Sequence, residues 1–192
     1  MEQHHINSLD KIAEAAKEIL IAIGEDTNRP GLINTPTRIA KSLMFLTDGK
    51  NFHPNDIVGD GIFPAVSEGM VVQKNIEFYS LCEHHVLPFF GRVHVAYIPD
   101  KNIIGLSKIG RIIDLFAKRL QVQERLTHQI AQGLHEVLSA KGIAVVVEAQ
   151  HFCMMMRGVQ KQGAYTITKE YIGNFVNSID LKDDFLRLIE KG

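Results

Sequence analysis

Both cysteines of the chain lie in two short segments that also contain three of its histidines. The segments are Leu81-Cys82-Glu83-His84-His85 and Gln150-His151-Phe152-Cys153, about seventy residues apart. Zinc binds thiolate and imidazole together, and a set of two cysteines and one histidine leaves a fourth coordination position open for water. These residue types and their grouping predict that folding brings the two segments together into one catalytic metal site.

The spacing within these segments indicates which side chains would bind the metal. Cys82 and His85 are three residues apart, a separation that a turn can bring together, and Cys153 would complete the set. His84 and His151 would then lie beside the metal, free to move protons, because the pKa of histidine is near neutrality. Two alternatives stay open: a closed structural site with a further histidine as fourth ligand, and cysteines that are only small buried side chains.

The residues around Cys153 are predicted to form a strand, because residues 143–159 begin with a buried-looking, β-branched run. Side chains alternate along a strand, so His151, Cys153, Met155 and Arg157 would face the same side. A thiol, an imidazole and a guanidinium would then line one wall of the site.

A cationic cluster occurs at the start of a predicted helix, where Ser107, Lys108 and Arg111 fall within about one turn. Free backbone N–H groups and the helix dipole favour an anion at such a position. Together with Arg157, these side chains could hold a phosphate chain through bidentate hydrogen bonds. The alternative is a solvated basic helix face.

Gln123 and Glu124 begin the next predicted helix. A carboxylate at this position favours the helix dipole, which is its default interpretation. It could instead accept hydrogen bonds from two neighbouring N–H donors, such as those on the edge of guanine. Spacing alone leaves both interpretations open.

Hydrophobic periodicity and turn residues divide the chain into elements. Apolar residues at helical spacing predict helices at residues 8–24, from about 35 to 48, 107–119, 122–140 and 181–191. Runs rich in β-branched residues predict strands at residues 70–78, 89–99, 143–159 and 165–171. Strands grouped on either side of a helix pair indicate an α+β fold, ββααββ, with the helices on one face of an antiparallel sheet. A loop-like stretch at residues 50–64 separates an N-terminal helical arm, residues 1–60, from a catalytic domain, residues 61–192.

One strand shows its two faces clearly in the sequence. Within residues 89–99, the apolar residues Val93, Val95 and Tyr97 alternate with Arg92, His94 and Ala96. The first set is therefore expected on one side of the sheet and the second set on the other.

Composition limits the kinds of partner. The 192 residues are 45% hydrophobic and carry a net charge of −1, so no global field attracts nucleic acid or an anionic membrane. No stretch approaches the roughly twenty apolar residues of a membrane span, and the N-terminus lacks an apolar signal core. Two cysteines do not make a disulfide framework, so we expect a cytoplasmic protein without nucleic-acid or membrane partners.

Four segments resemble the signature motifs of the GTP cyclohydrolase I family, in the same order. They are CEHHVLPFFGRVHVAYIP, GLSKIGRI, LQVQERLT and VVVEAQHFCMMMRGVQ. The resemblance runs from about residue 70 to residue 160 and extends more weakly into RPGLINTPTRIAKSL and the C-terminal helix. It implies the tunnelling fold, in which sheets of several subunits close into a barrel, and a homodecamer of two pentamers with active sites between subunits.

The resemblance also implies a reaction and roles near the metal. Zn2+ held by Cys82, His85 and Cys153 would activate water to attack C8 of GTP, releasing formate and yielding 7,8-dihydroneopterin triphosphate, the first step of folate and pterin synthesis. His151 would move protons at the imidazole ring of the substrate, and His84 would assist ring opening.

The remaining matched residues would bind and rearrange the substrate. Ser107 would help the Amadori rearrangement of the opened sugar. Glu124, with the Gln123 region, would anchor the guanine edge, and three cations would hold the triphosphate, namely Lys108, Arg111 and Arg157. Lys169 and Glu170 depart from the hydroxyl-rich run of several relatives. Two other functions are compatible with the motifs: a paralogue that stops at the formamide or uses another purine, and a zinc-stabilised assembly protein without activity.

Overall fold

The computed structural model describes residues 2–190, with side chains from residue 8 onward, so the predicted helix end at Lys191 lies outside it. The chain forms two compact units, one ending at Asp48 and the other beginning at Gly49. The predicted catalytic domain, residues 61–192, falls in the second unit. Residues 49–60, which were predicted as part of the arm, belong to that unit as well.

The first unit is a pair of helices. Helix α1 spans Glu2–Ala22 and helix α2 spans Thr35–Leu46, and the two pack against each other. Ala16 and Ala40 are the buried apolar side chains of this unit among the residues whose side chains are described. Small side chains at such positions allow two helices to approach closely, so this unit has only a small core of its own.

The second unit contains the strand–strand–helix–helix–strand–strand order predicted from the sequence. Its helices are α3 (Pro54–Val58), α4 (Leu106–Ala117), α5 (Gln123–Leu138), α6 (Phe152–Met155), α7 (Asn174–Asn177) and α8 (Ile179–Glu190). Its strands are β1 (Ile62–Pro64), β2 (Val71–Cys82), β3 (Pro88–Ile98), β4 (Asn102–Ile104), β5 (Leu120–Gln121), β6 (Gly142–His151) and β7 (Thr166–Gly173). The α+β prediction is confirmed.

The main sheet has the strand order β5-β2-β3-β6-β7. Neighbours from β2 to β7 are antiparallel, whereas the short β5 runs parallel to β2 and pairs only with Leu81 and Cys82. Strands β1 and β4 form a separate two-stranded sheet. The register of β3 and β6 places His151 opposite Phe89, at the end of the sheet where Cys82 also lies.

Helices α4 and α5 cover one face of this sheet, as predicted. The predicted alternation in β3 is confirmed, because Val93, Val95 and Tyr97 all face the helix pair. Burying each large aliphatic side chain contributes about 1.5–3 kcal/mol, so this layer accounts for much of the stability of the unit. The helix residues that are fully buried in it include Ile109, Ile112, Ile113, Leu126, Ile130 and Leu134.

The opposite face of the sheet is covered in part by the C-terminal helices. Ala96 of β3 and Val146 of β6 pack there against Phe175 of α7 and Phe185 of α8. His94 lies on this same side of β3 and is 3% exposed. Both faces of β3 are therefore buried in this region. For this reason the residue types alternate along the strand, but the burial of the side chains does not.

The prediction of one strand over residues 143–159 is wrong beyond His151. Strand β6 ends at His151 and the chain turns into the short helix α6. The reason is the partner strand: β3 begins at Pro88, and its last pair with β6 is Phe89 with His151. A strand without a partner leaves backbone groups unpaired, so the chain changes conformation at that point. His151, Cys153 and Arg157 consequently do not share one strand face.

His94 should make the stability of the fold sensitive to acid. Burial lowers its pKa, as do Arg92 and Lys74, while Glu148 opposes them. Its Nδ1 accepts a hydrogen bond from the backbone N–H of Asn75 at 3.4 Å, so protonation would also remove that bond. The unfolded chain binds the proton more readily, and stability present above about pH 6.5 is therefore lost as the pH falls.

We expect the free energy of unfolding of the wild type to fall more steeply between neutral and mildly acidic pH than that of His94→Gln. Denaturant titrations at several pH values would measure both slopes. Parallel slopes would show that His94 does not contribute to the acid sensitivity.

No described helix, among residues 2–190, is long and apolar enough to cross a membrane.

Candidate metal centre and active site

The first cysteine segment is shaped by a tight turn at the end of β2. The backbone N–H of Cys82 donates to Leu87 at 2.8 Å, and the N–H of Val86 donates back to Cys82 at 2.8 Å. Val86 has a φ of 54°, a left-handed conformation that is unusual for a β-branched side chain. At Val86 the backbone turns back toward Cys82. The turn thereby places the side chain of His85 near the thiol of Cys82.

The second cysteine lies just beyond the sheet rather than in it. Cys153 is the second residue of α6, directly after the end of β6. Its position is therefore set by a helical turn that starts where the ladder between β3 and β6 stops. This turn brings Cys153 to the end of β2, opposite the Cys82 turn.

Cys82, His85 and Cys153 form a group that could hold a metal ion. Their ligand atoms all lie within 4.8 Å of one another. Tetrahedral zinc with bonds of 2.0–2.3 Å places its ligand atoms roughly 3.3–3.8 Å apart, so small side-chain adjustments would suffice. Cys82 is buried, Cys153 is half-buried and His85 is exposed, which leaves the group open toward solvent on one side. Donor type and geometry both fit zinc.

The two thiols influence each other. Burial raises the pKa of Cys153, and the adjacent Cys82 raises it further through its charge and a hydrogen bond, whereas Arg157 opposes them. Two neighbouring thiolates are unfavourable unless a cation lies between them. A bound metal ion would supply that cation.

His84 and Arg157 lie around the metal group without belonging to it. Nδ1 of His84 is 3.7 Å from the sulfur of Cys82. Nη1 of Arg157 donates to Nε2 of His85 at 3.4 Å. Arg157 therefore reaches the site from beyond α6, although not from the strand on which the sequence placed it.

His151 is held by two contacts at the edge of the site. Its ring stacks on Phe89 with 4.7 Å between centroids and 2° between planes. Its Nε2 lies 2.9 Å from Oε1 of Gln123. Burial lowers the pKa of His151, with Glu124 opposing, and this favours the neutral form of the ring.

Gln123 and Glu124 point in different directions, although they are adjacent. The side chain of Gln123 is 2% exposed and hydrogen-bonds within the protein. The side chain of Glu124 is exposed at the start of α5. Of these two side chains, only the carboxylate of Glu124 is therefore free to contact a ligand. The sequence-based prediction places both residues at the guanine edge.

The sequence did not reveal an ion pair that ties the cysteine turn to α5. Arg125 donates to Glu83 at 2.6 Å, and the backbone N–H of Glu83 donates to Gln121 at 3.0 Å. Such a half-exposed pair contributes little stability. The ion pair does hold the cysteine turn against Arg125, the residue that follows Glu124. Opposite charge was the only available signal, and it does not identify partners 42 residues apart.

The cationic cluster lies far from the metal group of the same chain. The hydroxyl of Ser80 donates to the carbonyl of Ala117 at 2.6 Å, so the C-terminal end of α4 lies beside the end of β2. Ser107 is ten residues earlier, and a helix rises 1.5 Å per residue, which places it about 15 Å farther along the axis. Within one chain, Ser107 and Lys108 at the start of α4 are therefore more than two helical turns from the end of β2, while Arg111 is about one turn closer.

The side chain of Lys108 packs over a glycine, Gly61. A Cβ on Gly61 would come within 2.7 Å of two carbons of the lysine side chain. The half-buried stem of Lys108 thus passes over Gly61, and its amine is 3.9 Å from a carboxylate oxygen of the exposed Asp60. This contact orients the lysine near the start of α4 without neutralising it strongly.

The ββααββ order, with a helix pair on one face of a mainly antiparallel sheet, is the arrangement of the tunnelling fold. The model of the family described as GTP cyclohydrolase I matches residues 12–190, and this chain belongs to that family.

Curated relatives agree over nearly the whole chain. The chain is 50% identical to GTP cyclohydrolase 1 of Pseudoalteromonas atlantica over 95% of its own length and 99% of the relative's. It is 54% identical to GTP cyclohydrolase 1 of Leptospira biflexa over 92% and 96% of the two chains. For the Campylobacter lari protein of the same name, the identity is 51% over 94% and 95%. The chain is therefore an enzyme of this type.

Among solved structures, the chain is similar to an apo-form archaeosine synthase, QueF-Like. The identity is 17%, the TM-score is 0.48, and the match covers 56% of this chain and 97% of that one.

Proposed function

We propose that this enzyme is zinc-dependent and converts GTP and water into formate and 7,8-dihydroneopterin triphosphate in the cytoplasm, as the first step of folate or pterin synthesis. One observation carries the proposal: the ligand atoms of Cys82, His85 and Cys153 lie within 4.8 Å of one another, and His151, two residues before Cys153, is held in place by Phe89 and Gln123. A metal ligand set with an open side and an adjacent proton acceptor are the two requirements of metal-assisted hydrolysis.

Cys82, His85 and Cys153 would hold the zinc ion. When bound, zinc supplies a Lewis acid that lowers the pKa of a water molecule toward neutrality. With three protein ligands, the fourth position stays available, which separates this arrangement from a closed structural site. His84 and His151 are then not needed as ligands.

The two remaining histidines would move protons. His151 would exchange a proton with the imidazole ring of the guanine base, since burial favours its neutral form and its position is fixed by Phe89. His84, exposed beside the sulfur of Cys82, would donate a proton as that ring opens. The hydroxyl of Ser107 would assist the later rearrangement of the opened sugar.

The substrate would be held at its two ends. The exposed carboxylate of Glu124 can accept two hydrogen bonds from the N–H groups on the guanine edge. Lys108, Arg111 and Arg157 would bind the triphosphate, whose charge suits both point-charge and bidentate contacts. Arg157 already reaches the metal group, which would place the phosphates on that side of the site.

The separation between α4 and the metal group supports active sites formed between subunits. A site that needs both Lys108 and Cys82 can be completed by α4 of a neighbouring chain. The sheet also offers two open edges: β5 covers only Leu81 and Cys82 of β2, and β7 has no outer partner among residues 2–190. Open edges pair readily with another strand. We propose that such pairing builds a homodecamer of two pentamers.

The test is the product. We expect purified protein incubated with GTP to release formate and, after oxidation, a fluorescent neopterin compound in equal amounts. Accumulation of the ring-opened formamide would instead indicate a paralogue that stops early. A protein that leaves GTP unchanged while it binds zinc and assembles would show that the proposed activity is wrong.

A further inference from the structure

We propose that Gln123 is a positioning residue that keeps the ring proton of His151 on Nε2 and leaves Nδ1 as the atom that exchanges protons with the substrate. The inference rests on the proposed role of His151. It assigns to Gln123 a task different from contact with guanine.

The orientation of the Gln123 amide follows from its partners. Its Nε2 donates to the backbone carbonyls of Val147 at 3.0 Å and Thr166 at 2.9 Å. Carbonyl oxygens only accept hydrogen bonds, so the amide nitrogen must face them. The amide oxygen therefore faces the other way, toward His151. The side chain is 2% exposed, and both amide hydrogens have partners within the protein.

This orientation determines the tautomer of His151. Oε1 of Gln123 lies 2.9 Å from Nε2 of the ring and can only accept. Nε2 must then carry the hydrogen, because two facing acceptors would repel each other at this distance. A neutral imidazole has a single N–H, so Nδ1 retains a free lone pair.

The ring of His151 has little freedom to rotate or to leave its plane. Stacking on Phe89 fixes its plane, and the hydrogen bond to Gln123 fixes its rotation within that plane. The anchor is itself rigid, because Val147 and Thr168 are direct neighbours in the ladder between β6 and β7, and Oγ1 of Thr168 lies 3.2 Å from the Gln123 amide nitrogen. Gln123, the first residue of α5, therefore fixes the imidazole relative to strands β6 and β7.

A guanine contact by Gln123 is disfavoured by the same hydrogen bonds. The amide has no N–H left to donate to the base, and its oxygen already accepts from His151. Replacing the amide should therefore change the rate of the proton-transfer step more than the binding of GTP.

The direct test locates the hydrogen in the wild-type protein. Neutron diffraction from crystals exchanged into D2O at neutral pH should show deuterium on Nε2 of His151 and none on Nδ1. Deuterium on Nδ1 alone would overturn the proposal. This measurement does not depend on turnover, so it decides the tautomer even if the protein proves inactive toward GTP, in which case the proposed function would be wrong.

Kinetics of Gln123→Met supply the functional test. We expect kcat for formate release to fall about 10- to 100-fold, by analogy with the loss of the hydrogen-bond partner of a metal-bound histidine, with KM for GTP changed less than threefold. The matched control is Gln121→Met, since Gln121 is an equally buried glutamine whose amide bonds to Phe116 and Gln129 instead. It should keep kcat within about threefold of the wild type. A raised KM with unchanged kcat in Gln123→Met, or an equal loss of kcat in both variants, would contradict the positioning role.

Discussion

Replacing Cys153 by serine should remove the bound metal and nearly all turnover while the fold survives. The serine hydroxyl stays protonated near neutral pH and is a poor zinc ligand, so only two of the three ligands would remain. Cys153 is half-buried in the short helix α6, and the change is nearly isosteric, so the cost in stability should be small. The loss of turnover should exceed the roughly 100-fold cost of losing an outer partner of a metal ligand.

Metal analysis, formate release and thermal unfolding of the same preparation would measure these three effects. Met154→Leu is a suitable control, because Met154 is the next residue of α6, is exposed, and offers no strong ligand atom. It should retain metal and turnover. Normal turnover by the Cys153→Ser protein would show that the three-residue site is assigned wrongly.

The second large effect is expected at His151, where alanine should retain zinc but lose most of the turnover. A side chain that transfers a proton in the transition state contributes about 100- to 10,000-fold in rate, and kcat should fall within that range. Zinc content should stay near the wild-type level, because Nε2 of His151 bonds to Gln123 and the metal-binding group consists of Cys82, His85 and Cys153.

His128→Ala provides a matched comparison for this variant. His128 lies on the exposed side of α5, where its Nδ1 is 3.6 Å from Glu170. Its removal should leave both zinc content and kcat unchanged. Loss of zinc from His151→Ala would make His151 a ligand and would contradict its assignment as a proton carrier.

Periodic features of the sequence were sufficient to predict the frame of the site. The alternation of Val93, Val95 and Tyr97 identifies the face of β3 that the helix pair covers. The separation of Cys82 and His85 by three residues predicts a turn, and the structure has one. Both depend on local geometry, in which side chains repeat with the period of the backbone.

Features that depend on the partner of a segment were not predictable in this way. The sequence after His151 continues as a strand would, but β3 begins at Pro88 and offers no further pairing, so Cys153 lies on a helical turn. Gln123 resembles any polar residue at a helix start. Its role follows from carbonyl groups 24 and 43 residues away, which only the assembled sheet brings to it.

The resemblance to a known family supplied what spacing could not. It grouped Ser107, Lys108 and Arg111 with the metal residues in one active site. In one chain, however, Ser107 and Lys108 lie at the start of α4, whereas it is the end of α4 that lies beside the end of β2. The two statements agree if a neighbouring subunit completes each site.

Zinc held by Cys82, His85 and Cys153 is proposed to be required for turnover of GTP. To test this, a chelator removes the metal, metal analysis confirms the removal, and zinc is then added back in steps while formate release is measured. We predict no turnover without metal and a linear recovery that ends near one zinc ion per chain. Full turnover by protein shown to be free of metal would contradict the claim.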